Sequence, residues 1–172
     1  MARSFGLYAG NLRQAILELK FRRRERLGKR LGELLIEVWM GVEELGALDS
    51  PVLVPVPLHS SRQRERGFNQ AHLLAEGLKR RLAKEQGTAT PTIAPRCLWR
   101  TRATVPQTGL SLAARRENVR GVFDVSMPGI IQGRVAVLLD DVMTTGATVD
   151  ECAKVLKKSG AHKVYVMTVA RG

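Results

Sequence analysis

The chain has 172 residues, 44% hydrophobic and 26% charged, which is the composition of one ordinary globular domain. No apolar run approaches the roughly 18 residues a membrane span needs, and the N-terminus lacks the apolar core of a signal peptide. Cys97 and Cys152 form neither a metal-ligand spacing nor a disulfide framework, so a cytoplasmic protein is expected. The net charge of +12 is uneven: residues 51–120 carry 13 basic and 4 acidic side chains, a net of +9. Such an excess implies an anionic partner (pyrophosphate, a nucleotide, nucleic acid or a membrane surface) or simply a solvated face.

Leu12, Ala15, Ile16 and Leu19 have helical spacing and predict a helix over 11–21. Leu27, Leu31, Leu34, Leu35, Val38, Val42 and Leu45 continue that period in a second helix. The run FRRRERLGKR between them reads equally as a solvated connection or an anion contact. After Asp49-Ser50-Pro51, Val52 to Val56 predicts a buried strand that Pro55 and Pro57 shorten or kink. A basic loop follows, with Arg62, Arg64 and Arg66 beside Gly67. Arginine suits oxyanions through its planar fork of donors, and the carboxyl end of a strand is where α/β sheets bind ligands. Asn69 is placed to cap a helix through Leu74, Ala75, Leu78 and Leu82, with Phe68 and Leu73 as a hydrophobic staple. His59 and His72 are candidate bases, although an isolated histidine is more often a packing or surface residue. Further strands are expected near 93–98, 121–125, 134–140 and 164–170.

The most informative stretch is VLLDDVMTTGATV, residues 137–149. An apolar run ends in Asp140 and Asp141, then comes Thr144-Thr145-Gly146, then helical spacing at Val149, Cys152, Ala153 and Leu156. A Thr/Gly loop leading into a helix offers backbone N–H groups, hydroxyls and a positive dipole end to a phosphate. The acids repel that phosphate but can accept hydrogen bonds from vicinal hydroxyls. A phosphate next to a diol is a ribose 5-phosphate. The plainer alternative is a strand-to-helix turn whose acid pair is merely solvated.

This stretch resembles the thirteen-residue signature of type I phosphoribosyltransferases. The resemblance implies that Asp140 and Asp141 hold the ribose hydroxyls of phosphoribosyl pyrophosphate, while Thr144, Thr145, Gly146, Ala147 and Thr148 hold its 5-phosphate. VPVPLHSSRQRERGFNQAHLLA and RTRATVPQTGLSLAARRENVRGVF, together with the LKF of Leu19 to Phe21, resemble blocks of the ComF family of competence-associated phosphoribosyltransferase-like proteins. That likeness implies a pyrophosphate loop at 57–67, with Arg62, Arg66 and Gly67, and a mobile loop carrying Arg100, Arg102, Gln107 and, beyond it, Arg115. ComF-like proteins usually begin with a four-cysteine zinc ribbon. This sequence has no such cysteines, so zinc is not expected, and a hood over the acceptor would have to come from the N-terminal helices.

The expected fold is therefore α/β and type I phosphoribosyltransferase-like: a mostly parallel sheet flanked by helices. Residues 1–50 are expected as an N-terminal helical subdomain, a candidate hood, and 51–172 as the core. Two functions are carried forward. The first is an enzyme that uses phosphoribosyl pyrophosphate with substrate-bound Mg²⁺ and transfers the phosphoribosyl group to a nitrogen acceptor. The second is a non-catalytic module that binds a ribose 5-phosphate ligand or single-stranded DNA and works with the DNA-uptake machinery.

Overall fold

The computed structural model describes residues 1–22, 24–46, 51–86, 90–104 and 111–172. In chain order the elements are β1 (Ala2–Leu7), α1 (Gly10–Arg22), α2 (Glu25–Met40), α3 (Glu43–Gly46), β2 (Val52–Pro55), α4 (Ser60–Arg66) and α5 (Gln70–Gln86). They continue with β3 (Thr92–Ile93), β4 (Leu98–Arg100), α6 (Leu112–Val119), β5 (Phe123–Val125), a 3₁₀ turn (Pro128–Ile130), β6 (Val135–Met143), α7 (Ala147–Lys158) and β7 (Lys163–Arg171).

Five strands form one sheet in the order β1-β7-β6-β2-β3, every pair parallel. All carboxyl ends therefore lie along one edge. Parallel strands covered on both faces need continuous apolar runs, and Ala136, Val137, Leu138 and Leu139 of β6 are each 0% exposed. Alternation sends Val137 and Leu139 to a cluster shared with α1, α2 and α5, and Ala136 and Leu138 to a cluster shared with α7, Leu98 and Phe123. The sheet is the partition between two hydrophobic layers.

The sequence reading needs correction in four places. Residues 1–50 include β1, which pairs with β7 from Ala2↔Val166 to Leu7↔Arg171, and α2 shares one hydrophobic cluster with α5 and the sheet. The strand expected at 93–98 is divided by Pro95 into β3, on the main sheet, and β4. The strand expected at 121–125 does not join the main sheet either: β5 pairs antiparallel with β4, so the two make a separate ribbon. The arginine loop is a short helix, α4, with no buried residue. His59 caps it by accepting from the Ser61 backbone N–H at 3.3 Å, and Gly67 closes it at φ 83°.

Asn69 caps α5 as expected, its Oδ1 accepting from Ala71 N–H at 3.0 Å while its amide donates to the Val56 carbonyl. Among the described residues, no helix is long and apolar enough to cross a membrane.

Candidate functional site

The carboxyl end of β6 carries Asp140 and Asp141, and the chain then turns through Thr144 and Thr145 into α7. Gly146 makes the turn at φ 77°, a left-handed conformation that side chains with a Cβ resist. Thr145 Oγ1 accepts from Ala147 N–H at 3.4 Å, which orders the first turn of α7. Asp140, Val142, Met143 and the 144–149 segment line a small concavity of about 30 Å³. Arg115 of α6 reaches this loop, its Nη1 donating to Thr144 Oγ1 at 3.4 Å.

Strand alternation makes the two acids unequal. Asp140 lies on the α7 face and is half-buried, its Oδ1 accepting from Asp141 N–H at 2.8 Å. Burial, and then the charge of Asp141, push its carboxyl up to about 7, against the pull of Lys20 and Arg100. Asp141 lies on the α1 face and is 3% exposed. Lys20 of α1 approaches its Oδ2 to 2.8 Å, an ionic contact not aligned as a hydrogen bond.

Two further cations on neighbouring elements lie in the field of these acids. Arg66, at the end of α4, donates to Gln70 Oε1 at 3.0 Å and lies in the field of both carboxylates; burial pulls its guanidinium below the usual range. Arg100 of β4 donates through Nε to the Pro57 carbonyl at 3.1 Å and through Nη1 to Thr104 Oγ1 at 3.0 Å, and stacks over the Phe123 ring at 5.0 Å. Burial likewise pulls it down, against the field of Cys152 and Asp140. It ties the base of the expected mobile loop to the segment after β2.

The remaining expectations divide. Arg62 is exposed on α4, and Gly67 ends that helix. Arg102 is exposed and donates to the Arg120 carbonyl at 3.2 Å, away from the acid pair. Gln107 lies outside the described residues. His59 is a helix cap, and His72 faces Glu76 Oε1 at 3.4 Å, so neither meets the acid pair. Lys20 was missed as a site residue. Its signal was present, since Ile16 and Leu19 mark the inward side of α1 and Lys20 follows Ile16 by one turn. Cys152 is fully buried, and burial and then the charge of Asp140 push its thiol up; burial pushes that of Cys97 to about 11, and both are packing residues.

A parallel sheet with an acid pair and a Thr/Gly loop at its carboxyl edge defines a type I phosphoribosyltransferase-like α/β protein. Solved structures similar to it include an allosteric regulatory enzyme of purine biosynthesis (TM-score 0.48, 22% identity, 82% of this chain but 25% of that one). Another is a hypoxanthine phosphoribosyltransferase from Staphylococcus aureus (TM-score 0.42, 14% identity, 84% of this chain and 60% of that one). No family model matches the chain. Among curated relatives, DNA utilization protein YhgH of Escherichia coli K12 is 38% identical over 165 residues, 95% of this chain and 69% of that protein. Competence protein F of Haemophilus influenzae is 35% identical over 169 residues, 96% and 70% respectively. Competence protein ComFC of Bacillus subtilis is 36% identical over 121 residues, 70% and 44%. The chain belongs to the ComF family.

Proposed function

We propose that this protein binds phosphoribosyl pyrophosphate, or a related ribose 5-phosphate, at the carboxyl edge of β6 and transfers the phosphoribosyl group to a nitrogen acceptor. The observation that carries the reading is the acid pair at the end of β6 running directly into the Gly146 turn at the start of α7, with Arg66 and Arg100 in the field of the acids. The 5-phosphate would sit on the Thr144–Thr148 backbone at the start of α7, where N–H groups and the dipole favour an anion. The sugar hydroxyls would donate to the carboxylate edge. Arg62, Arg66 and Gly67 would face the pyrophosphate.

In the reaction the bond from C1 to the pyrophosphate oxygen breaks and a bond from C1 to nitrogen forms. The electron pair leaves with pyrophosphate, and the acceptor nitrogen loses its proton to solvent. Holding the acceptor nitrogen and the leaving group on opposite sides of C1 would contribute through orientation, and the arginines would stabilise negative charge gathering on pyrophosphate. Mg²⁺ would enter with the pyrophosphate. The ion would be held largely by substrate oxygens, since Mg²⁺ often keeps few protein ligands.

Relatives named for DNA utilization and for competence support a role in handling nucleotides or strands taken up as DNA. The test is calorimetric titration with the donor plus Mg²⁺, followed by a screen of nitrogenous bases for pyrophosphate release. Saturable donor binding with release on one base is expected. Absence of donor binding would overturn the reading.

A further inference from the structure

Apart from the acid pair, the molecule holds a second cavity, of about 800 Å³ against about 30 Å³ at the 144–149 loop, and no residue lines both. That is the size of a small-molecule site. It is enclosed by α2, α4, α5 and the segment joining β3 to β4. Ser60, Gln63 and the closing Gly67 follow one another at helical spacing along α4 and line the cavity. Arg62 and Arg66 lie on another stripe of α4 and do not, and Arg66 is in the field of the acids instead.

Part of the lining is apolar. Phe68, Leu73 and Leu98 are each at most 8% exposed, and Trp99 joins them while 46% exposed. A tryptophan half in solvent beside a cavity is a ring face the core has not consumed. Most of the polar lining is already paired. Lys29 Nζ stands 2.9 Å from Glu76 Oε2, His72 Nε2 stands 3.4 Å from Glu76 Oε1, and Arg100 donates to the Pro57 carbonyl and to Thr104. Two charges of opposite sign are left over. The side chains of Arg96, ahead of β4, and Glu25, at the start of α2, have neither a hydrogen bond nor an ion pair among the described residues.

We infer that this cavity is a second ligand site, for a mononucleotide whose base carries an amino group: the base lies against Trp99, its amino group donates to Glu25, and its phosphate meets Arg96. The chemistry selects among ligands. A sugar phosphate has no ring for the indole face, an apolar ligand leaves both charges unmet, and inorganic pyrophosphate is repelled by the acid. The inference stands apart from the sugar-phosphate reading above, because neither Asp140, Asp141 nor the 144–148 loop takes part in it.

The test is calorimetric titration of the whole chain with adenosine 5′-monophosphate, alone and in excess ribose 5-phosphate, with melting curves to verify folding. The nucleotide itself contains a ribose 5-phosphate, and the excess keeps it out of the 144–148 loop. One equivalent of nucleotide is expected to bind with the excess present. Trp99→Leu and Arg96→Gln should each weaken that binding at least about tenfold, by loss of stacking and of a charge-assisted contact, and leave the affinity for ribose 5-phosphate unchanged. Inosine 5′-monophosphate, with a carbonyl in place of the amino group, should bind wild type about tenfold more weakly, and Glu25→Ala should close that gap. Absence of nucleotide binding, its complete displacement by ribose 5-phosphate, or wild-type affinity in folded Trp99→Leu and Arg96→Gln would overturn the site. Equal binding of the two nucleotides to wild type would overturn the role of Glu25. Should Trp99→Leu fail to fold, Arg96→Gln, at an exposed position, decides the matter. Wild-type protein that binds the nucleotide but no ribose 5-phosphate would sink the sugar-phosphate reading and leave this site standing.

Discussion

Gly32 of α2 and Leu74 of α5 meet backbone to backbone, so that a Cβ on Gly32 would stand 2.8 Å from the Leu74 Cα. Gly77 repeats the contact one turn on, where a Cβ would stand 2.8 Å from the Lys29 carbonyl carbon. Intrinsic propensity favours alanine over glycine in mid-helix by about 1 kcal/mol. Overpacking against backbone costs about 3 kcal/mol, because neither helix can yield without moving the other. Packing therefore wins. Gly32→Ala should lower the melting temperature by roughly 5 °C. A variant melting at or above wild type would mean that the helices are not locked here.

Asp140 makes stability depend on pH with a definite sign. Its carboxyl is raised in the fold from an ordinary 3.8 to about 7, so its contribution is intact below about 4 and is lost as pH climbs to about 7. Asp140→Asn keeps an oxygen to accept the Asp141 N–H and removes the buried charge. The variant should match wild type at pH 4 and exceed it at pH 8, by about 1–2 kcal/mol after screening. Melting curves at both values check this; equal melting at pH 8 would argue against a raised carboxyl.

The turn into α7 is the next target. Gly146→Val forces a β-branched side chain into a left-handed backbone and crowds the proposed phosphate seat. It should weaken ribose 5-phosphate binding at least about tenfold. Gly133 sits at φ 67° next to the opposite, amino end of β6 and supplies the control. Gly133→Ala should cost stability while leaving affinity unchanged. Equal affinity losses in both variants would trace the effect to general strain.

What the sequence made legible was the part governed by short-range chemistry. The apolar run of β6, the acids at its end, the Thr/Gly turn and the start of α7 lie within thirteen consecutive residues, and each step has a local cause. The cap at Asn69 was equally local. β1 was not legible, because ARSFGL has neither alternation nor an apolar run, and its ends are exposed; it is a strand only because β7 offers it an edge. α4 was hidden for the same reason from the other side. A helix with no buried residue leaves no periodic trace, and its cap is a histidine, which no capping rule anticipates. That Lys20 faces inward is legible from its one-turn spacing to Ile16, but its partner Asp141 lies 121 positions away and is set by how α1 lies on the sheet.

The basic excess of residues 51–120 supports a final prediction, because the structure divides those cations. Arg66 and Arg100 are half-buried and lie in the field of the acids, whereas Arg62 and Arg64 are exposed on α4. Trp99, 46% exposed on β4, is the one aromatic of the region, among the described residues, offering a face to solvent. If single-stranded DNA binds here, log affinity should fall steeply with log salt, by roughly 0.7 per phosphate neutralised. Trp99→Ala should cost about 1 kcal/mol, the low end of stacking on one base. Arg62→Ala with Arg64→Ala should lower the salt slope, because each side chain removed is one phosphate charge fewer to neutralise. Since α4 borders the proposed pyrophosphate seat, donor plus Mg²⁺ should displace the DNA at about millimolar concentration or below. Fluorescence anisotropy of a labelled oligonucleotide reads all four effects. DNA binding that ignores the donor and both arginines would move the DNA surface to the basic run of residues 22–30 and leave α4 to pyrophosphate alone.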